Sequence, residues 1–196
     1  MAKLGRKYRL GKRFDDAIEY ALRLHRKQPR KGKRVPYAAH LLGTAGTVLD
    51  FGGDEYQAVA ALLHDAAEDH GGRDQLEKIR KRFGRDVATM VEDCTDTFEK
   101  KKPAWKARKQ AYMASLPKKA ARSLLVSAAD KLDNARAIVA DLRIDGPATL
   151  ERFQGKRQTV WYFRKIANTF QKLKTGPIAA ELEAAVREME RLTRRS

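Results

Sequence analysis

The 196-residue chain is 42% hydrophobic and 34% charged, with a formal net charge of +17, a balance that fits one globular domain with a full core and is short for two. No apolar run approaches the roughly 20 residues of a membrane-spanning helix, and the basic opening stretch to Phe14 lacks the apolar segment of a signal peptide. A single cysteine, Cys94, excludes an intrachain disulfide and fits a reducing cytoplasm, while the positive charge, spread along the whole chain, points to anionic ligands without marking a dedicated nucleic-acid surface.

Helix-period patterning runs along the chain and no strand alternation exceeds four residues, so the expected fold class is all-α. Phe14, Ala17, Ile18, Ala21 and Leu22 recur at helical spacing behind Asp15 and Asp16, which predicts a first amphipathic helix. A loop rich in Arg, Lys and Gly follows over residues 28–35. Pro36 opens a second helix to about residue 51, closed by Gly52 and Gly53. Asp54 caps a third, carried without a break from residue 55 to about 68 and ended by Gly71 and Gly72. Further helical runs are expected at about 73–83, 85–94, 103–116, 118–142, 146–153, 158–173 and 177–193. No linker, repeat or low-complexity segment divides the chain, so a single helical domain is expected over residues 1–196. Its last amphipathic helix packs either on the domain or on a second subunit.

Three places put titratable residues where an apolar helix would bury them. The stretch AVAALLHDAAED carries His64 and Asp65 at the end of an apolar run, with Glu68 and Asp69 one turn on, so all four project from one end of a helix. Burying such groups is costly unless a partner compensates, and a divalent cation is one; a solvated helix end is the plainer alternative. Within SLLVSAADKLDNARAIVAD, Asp130 stands among Leu124, Leu125, Val126, Ala128 and Ala129, with Asn134 one turn away. A lone buried Asp again asks for a partner. The stretch PYAAH sets His40 one turn into the second helix. Two histidines and two aspartates from three helices make a mixed nitrogen and oxygen set suited to Mn2+, Fe2+ or Zn2+, the carboxylates favouring Mn2+. His25 reads as structural, His70 as an exposed turn residue and Trp105 as a packing anchor, with Trp161, Tyr162 and Phe163 closing the core behind the metal helices.

The order H…HD…D resembles the signature of HD phosphohydrolases, and its surroundings resemble the hydrolase half of RelA/SpoT-type alarmone enzymes. His25-Arg26-Lys27-Gln28, Arg30-Lys31-Gly32 and Pro36-Tyr37-Ala38-Ala39-His40 are similar to that family's opening segment. His64-Asp65-Ala66-Ala67-Glu68-Asp69 is similar to its HDxxED motif, and Ala129-Asp130-Lys131-Leu132-Asp133-Asn134 to its ADKLxN motif. The likeness spans about residues 14–170 and leaves no length for a synthetase domain, as in stand-alone small alarmone hydrolases. It implies Mn2+, or another divalent ion, held by His40, His64, Asp65 and Asp130. It further implies removal of the 3′-diphosphate from (p)ppGpp, with Glu68 and Asp69 acting on the attacking water and its proton. Arg30 and Lys31 would contact the guanine nucleotide and Asn134 its ribose, with Lys33, Arg34 and Lys131 offsetting phosphate charge. Three departures stand out: Leu41 follows His40 where the family usually has proline, the loop between Arg30 and Pro36 is longer than in the long bifunctional enzymes, and Asp133 occupies a position that often holds His or Tyr. The alternatives are another phosphorylated nucleotide, such as NADPH or pApp, and a basic nucleic-acid-binding module with a vestigial site. The intact set of His40, His64, Asp65, Glu68, Asp69 and Asp130 argues against the last.

Overall fold

The computed structural model describes residues 9–99 and 101–194, so most of the basic opening stretch read above lies outside it. Among the described residues the chain is helical, and the one β feature is an isolated antiparallel bridge between Pro29 and Pro36 that pins the expected basic loop. Helix α1 (Lys12–Leu24) starts at Gly11, whose N–H donates to Oε1 of Glu55 at 2.7 Å. Its buried face carries Ala17 and Ala21, whose small side chains let it lie close against α3 (Glu55–Leu63).

Helix α2 (Ala38–Asp50) begins two residues after Pro36 and buries His40, Leu41, Thr44 and Val48. Helix α3 opens on a reciprocal cap: Oδ1 of Asp54 accepts from the Gln57 backbone at 3.0 Å, and Oε1 of Gln57 accepts from the Asp54 backbone at 3.1 Å. The same Gln57 donates to the carbonyl of Arg122 at 3.2 Å, which ties the start of α3 to α8 (Ala121–Asp145). From Ala58 to Leu63 every residue is buried, so α3 is enclosed on all sides, by α1, α2, α6 (Arg85–Cys94) and α8. Fully burying each of its larger aliphatic side chains is worth roughly 1.5–3 kcal/mol relative to exposure.

The unbroken helix expected over residues 55–68 does not form. Helix α3 stops at Leu63, and α4 (Ala66–Asp69) is a separate single turn. The cause is local: Nδ1 of His64 bonds the carbonyl of Ala61 at 2.8 Å, an acceptor that a continuing helix would give to a backbone N–H. Helix α5 (Gly72–Phe83) then turns into α6 through Gly84, whose φ of +95° suits a residue without a Cβ. Helix α7 (Trp105–Ser115) and a 3-10 turn lead to α8, the longest helix, which packs on α2, α3 and α6. The helical run expected at 146–153 is a 3-10 segment, Gly146–Arg152, begun by Gly146 at φ +67° and Pro147. Helix α9 (Gln158–Lys172) follows. Helix α10 (Pro177–Thr193) settles on α8 and α9 through Ile178, Leu182, Val186 and Met189, so the last amphipathic face is used within the chain. No described helix is long and apolar enough to cross a membrane.

Candidate metal centre and adjoining cavity

The helices that build the core also bring four side chains to one point: His40 from α2, His64 and Asp65 from the break after α3, and Asp130 from the middle of α8. Nε2 of His40 lies 3.3 Å from Oδ1 of Asp130 and 3.6 Å from Oδ2 of Asp65. Nε2 of His64 lies 2.9 Å from Oδ2 of Asp65 and 3.6 Å from Oδ1 of Asp130. Ligand atoms of His40, His64 and Asp65 all fall within 4.8 Å of one another. Both histidines and Asp130 are buried, and Asp65 is half-buried.

The hydrogen bonds assign the imidazole lone pairs. The Ala61 carbonyl can only accept, so Nδ1 of His64 carries a ring hydrogen, and in the neutral ring Nε2 is the atom that offers a lone pair. That atom is buried with no hydrogen-bond partner, and it faces two carboxylates. Such a contact is unfavourable unless a proton or a metal cation stands between the groups. Two imidazole nitrogens and two carboxylates form a donor set that fits a divalent transition ion.

The same carboxylates favour positive charge on both rings. Burial opposes a charge on His40, but hydrogen bonds with Asp130, Asp133 and Asp65 outweigh it and lift its pKa to about 9. Asp65 and Asp130 likewise lift His64 well above its ordinary value against its burial. Burial works to raise both carboxyls, yet the charge of His64 holds Asp65, and that of Lys131 holds Asp130, well below the usual range. Protons and a metal ion therefore compete for the same two nitrogens.

Around the cluster, Tyr37 donates its hydroxyl to Asp65 at 2.5 Å, and Lys131 donates to the outer oxygen of Asp130 at 2.5 Å. Asn134 has both ends committed: its amide donates to Oδ1 of Asp130, and its oxygen accepts from Arg30 at 3.2 Å. Glu68 is drawn toward the segment before α7, taking Lys102 at 2.7 Å and the backbone N–H of Asp96 at 3.2 Å, with Arg108 at 3.8 Å. Asp69 accepts from Gln28 at 2.8 Å. His25, expected to be structural, is buried and bonds Gln28 at 2.8 Å. His70, expected in the sequence to be an exposed turn residue, is instead half-buried against His25, because Gln28 and His25 offer it contacts at 3.0 and 3.2 Å.

A cavity of about 390 Å³ opens beside the cluster. The four ligand side chains do not line it; their partners Tyr37, Lys131 and Asn134 do, together with Glu68 and Asp69. Five cations (Lys31, Lys102, Arg108, Lys109 and Lys131) face it, opposite a wall of Trp105, Phe153, Tyr162 and Phe163. Partial desolvation lowers the pKa of Lys31, and the neighbouring charges of Arg108, Lys109 and Lys102 lower it further, a crowding that an anion would relieve. Trp105 is a packing anchor on Tyr162, ring centroids 6.1 Å apart, and it also lines the cavity. Lys31, Tyr37 and Asn134 are shared with a second cavity of about 210 Å³, where Arg30 lies and where Lys33 and Arg152 both pair with the buried Asp141. Arg34 lines neither cavity.

Sequence reasoning named the candidate ligands, Glu68, Asp69, Arg30, Lys31 and Asn134, but it gave no role to Tyr37, Lys102, Arg108, Lys109 and Asp133. The basic stretch KKPAWKARK held the available signal for three of these, and only its tryptophan was weighed there.

Comparison with known proteins matches residues 17–169 to the HD domain family. A Drosophila melanogaster protein, guanosine-3′,5′-bis(diphosphate) 3′-pyrophosphohydrolase MESH1, is 32% identical over 160 residues, which is 80% of this chain and 84% of the relative. Its namesake from Xenopus tropicalis is 39% identical over 124 residues, 62% of this chain and 66% of the relative. A solved structure described as a metazoan ortholog of SpoT that hydrolyzes ppGpp superposes with a TM-score of 0.73 at 30% identity, covering 93% of this chain and 96% of its own.

Proposed function

The chain belongs to the HD domain family, and from that membership we propose that it is a metal-dependent guanosine-3′,5′-bis(diphosphate) 3′-pyrophosphohydrolase. The observation that carries this reading is the buried, unpartnered Nε2 of His64, aimed with Nε2 of His40 at the carboxylates of Asp65 and Asp130. The similarity to the Drosophila enzyme over most of both chains supplies the substrate class.

His40, His64, Asp65 and Asp130 hold the divalent cation, and the two carboxylates favour Mn2+. Bound there, the ion supplies Lewis-acid polarisation of a phosphoryl oxygen and access to a hydroxide-like nucleophile near neutral pH. The chain's own residues do the rest. Lys31, Lys102, Arg108 and Lys109 meet the phosphate charge in the cavity with charge-assisted hydrogen bonds. Arg30, bonded to Asn134, and Lys31 contact the guanine nucleotide, and Asn134, which also bonds Asp130, contacts its ribose. Asp69 lines the cavity with one oxygen fixed by Gln28, and it takes the proton of the water that attacks the phosphorus next to the ribose 3′-oxygen. Glu68 holds Lys102 over the same space and helps orient that water. As the bond from phosphorus to the 3′-oxygen breaks, the proton taken up by Asp69 passes to that oxygen, giving GDP or GTP and pyrophosphate.

The test is pyrophosphate release from ppGpp by purified protein with Mn2+ and with EDTA. Release that needs the metal and yields GDP is expected. Absence of release with metal firmly bound would move the search to NADPH, pApp and other phosphorylated nucleotides.

A further inference from the structure

We propose that Asp133 is a positioning residue that holds the His40 ring in the tautomer and orientation needed for metal capture, and that position 43 is glycine so that Asp133 can reach it. The inference rests on His40 being a metal ligand, as proposed above.

Helices α2 and α8 face each other with complementary spacing. Asp130 and Asp133 lie one turn apart on α8, and His40 and Gly43 lie one turn apart on α2. The two aspartates grip opposite nitrogens of the same ring: Oδ1 of Asp130 is 3.3 Å from Nε2, and Oδ2 of Asp133 is 2.6 Å from Nδ1. A carboxylate only accepts, so Nδ1 carries the ring hydrogen and Nε2 presents its lone pair to the cluster. The geometry at Nδ1 is short and direct, and the other candidate partner, Oγ1 of Thr44, is distant at 3.4 Å.

The two ligand histidines are thus backed differently. His64 leans on a neutral backbone carbonyl, which no substitution of a side chain removes directly. His40 leans on a full carboxylate, which is in turn steadied by Arg30 at 3.8 Å. A carboxylate behind a ligating imidazole fixes its tautomer and makes the opposite nitrogen a stronger donor. Asp133 is also a point where the sequence departs from the motif it resembles, which often holds His or Tyr there.

Gly43 completes the device. A Cβ built at that position would collide with Oδ1 of Asp133 and stand 3.2 Å from its Cγ. The Oδ2 of the same carboxylate is the atom that bonds His40 and faces Arg30, so turning Oδ1 away from a new Cβ disturbs the contact with Nδ1. Glycine is otherwise a poor choice for the interior of a helix. Replacing it by alanine should favour α2 on propensity alone, so a loss of metal affinity in that variant would not come from a weakened helix.

The experiment is a titration of metal-stripped protein with Mn2+, repeated with Co2+ so that the visible spectrum reports ligand geometry. The proteins compared are wild type, Asp133→Ala, Asp133→Asn, Gly43→Ala, the double variant Gly43→Ala with Asp133→Ala, and His40→Ala. Asp133→Ala is expected to weaken metal binding by roughly 10- to 100-fold, and Asp133→Asn, which keeps an acceptor without the charge, by less. Gly43→Ala should show a loss of the same kind, and the double variant should be no worse than Asp133→Ala alone, because both changes break one contact. The metal-free single variants should remain folded at the titration temperature, checked by circular dichroism and thermal melting, so that the losses report metal capture. Wild-type affinity in Asp133→Ala, or losses that simply add in the double variant, would overturn the inference. Should Asp133→Ala fail to fold, the comparison of Asp133→Asn with Gly43→Ala decides in its place. His40→Ala separates the two levels: if it keeps metal, the ligand assignment itself fails; if it loses metal while Asp133→Ala does not, only the role of Asp133 falls.

Discussion

The candidate metal cluster draws its side chains from α2, α8 and the break after α3, and its atoms are held by a backbone carbonyl, a facing aspartate, a tyrosine hydroxyl and a lysine within hydrogen-bond reach. The basic wall of the neighbouring cavity is assembled otherwise. Lys102 precedes α7, Arg108 and Lys109 lie on it, and they are steadied by Glu68 and Asp96. One region is a single interlocked unit that holds its form or loses it. The other is a set of cations, part buried and part exposed, whose contributions grade with position. On the proposed function chemistry belongs to the first and recognition to the second, and substitutions should separate them.

The largest effects belong inside the cluster. His64→Ala and Asp130→Ala should each lose metal retention and turnover together, read as metal content after desalting and as pyrophosphate release. Intact metal in either variant would dissolve the contrast. Next comes the boundary: Asp69→Asn should retain metal and fold normally while kcat drops by about 10²- to 10⁴-fold, the range of general acid–base help. Glu68→Gln should lose most of the rate too, and because Glu68 also holds Lys102 its KM should rise, which sharpens the division between the two acids. In the cavity wall, Lys102→Ala should leave metal content untouched and lower kcat/KM by about tenfold, in line with the ~1.5–3 kcal/mol of a hydrogen bond to a charged group. That loss should shrink as salt is raised.

Smaller and opposed are two trends with pH. The folded-state pKa of His40, about 9, lies above its ordinary value of 6.5, so the metal-free protein binds an extra proton on folding. The stability this brings is complete below about pH 6.5 and is lost as pH rises through about 9. Metal must displace that proton, so metal affinity should climb across the same interval. Thermal melts of stripped protein and Mn2+ titrations at several pH values would check both. Smallest of all should be Arg164→Ala on the far side, where Arg164 links Glu183 and Glu190 of α10. Activity should be unchanged, with a stability loss of about 1 kcal/mol or less, as for partly exposed pairs.

The same division marks what the sequence could reveal. His64, Asp65 and Asp130 are legible because each interrupts an apolar helix, an expense that demands a partner, and most helix bounds follow from glycine, proline and apolar spacing. The break after Leu63 was hidden because it depends on a ring nitrogen capturing one carbonyl, which no periodicity records. The cavity wall was hidden for another reason. Lys102, Arg108, Phe153 and Tyr162 meet only through the packing of α7 and α9 around the 3-10 segment, and in a chain of net charge +17 a further run of lysines carries little contrast. Asp133 looked like an irregularity of a motif until the facing helix supplied its partner.

The buried, unpartnered nitrogen of His64 also has a consequence for the life of the polypeptide. An ion that satisfies it binds the folded chain and finds no such site in the unfolded one, so by mass action it adds about 2.7 kcal/mol to folding at a hundredfold excess over its Kd. The fraction of molecules open to proteases then falls as free cation rises. Metal supply would set how long each copy of the protein survives as well as how fast it works.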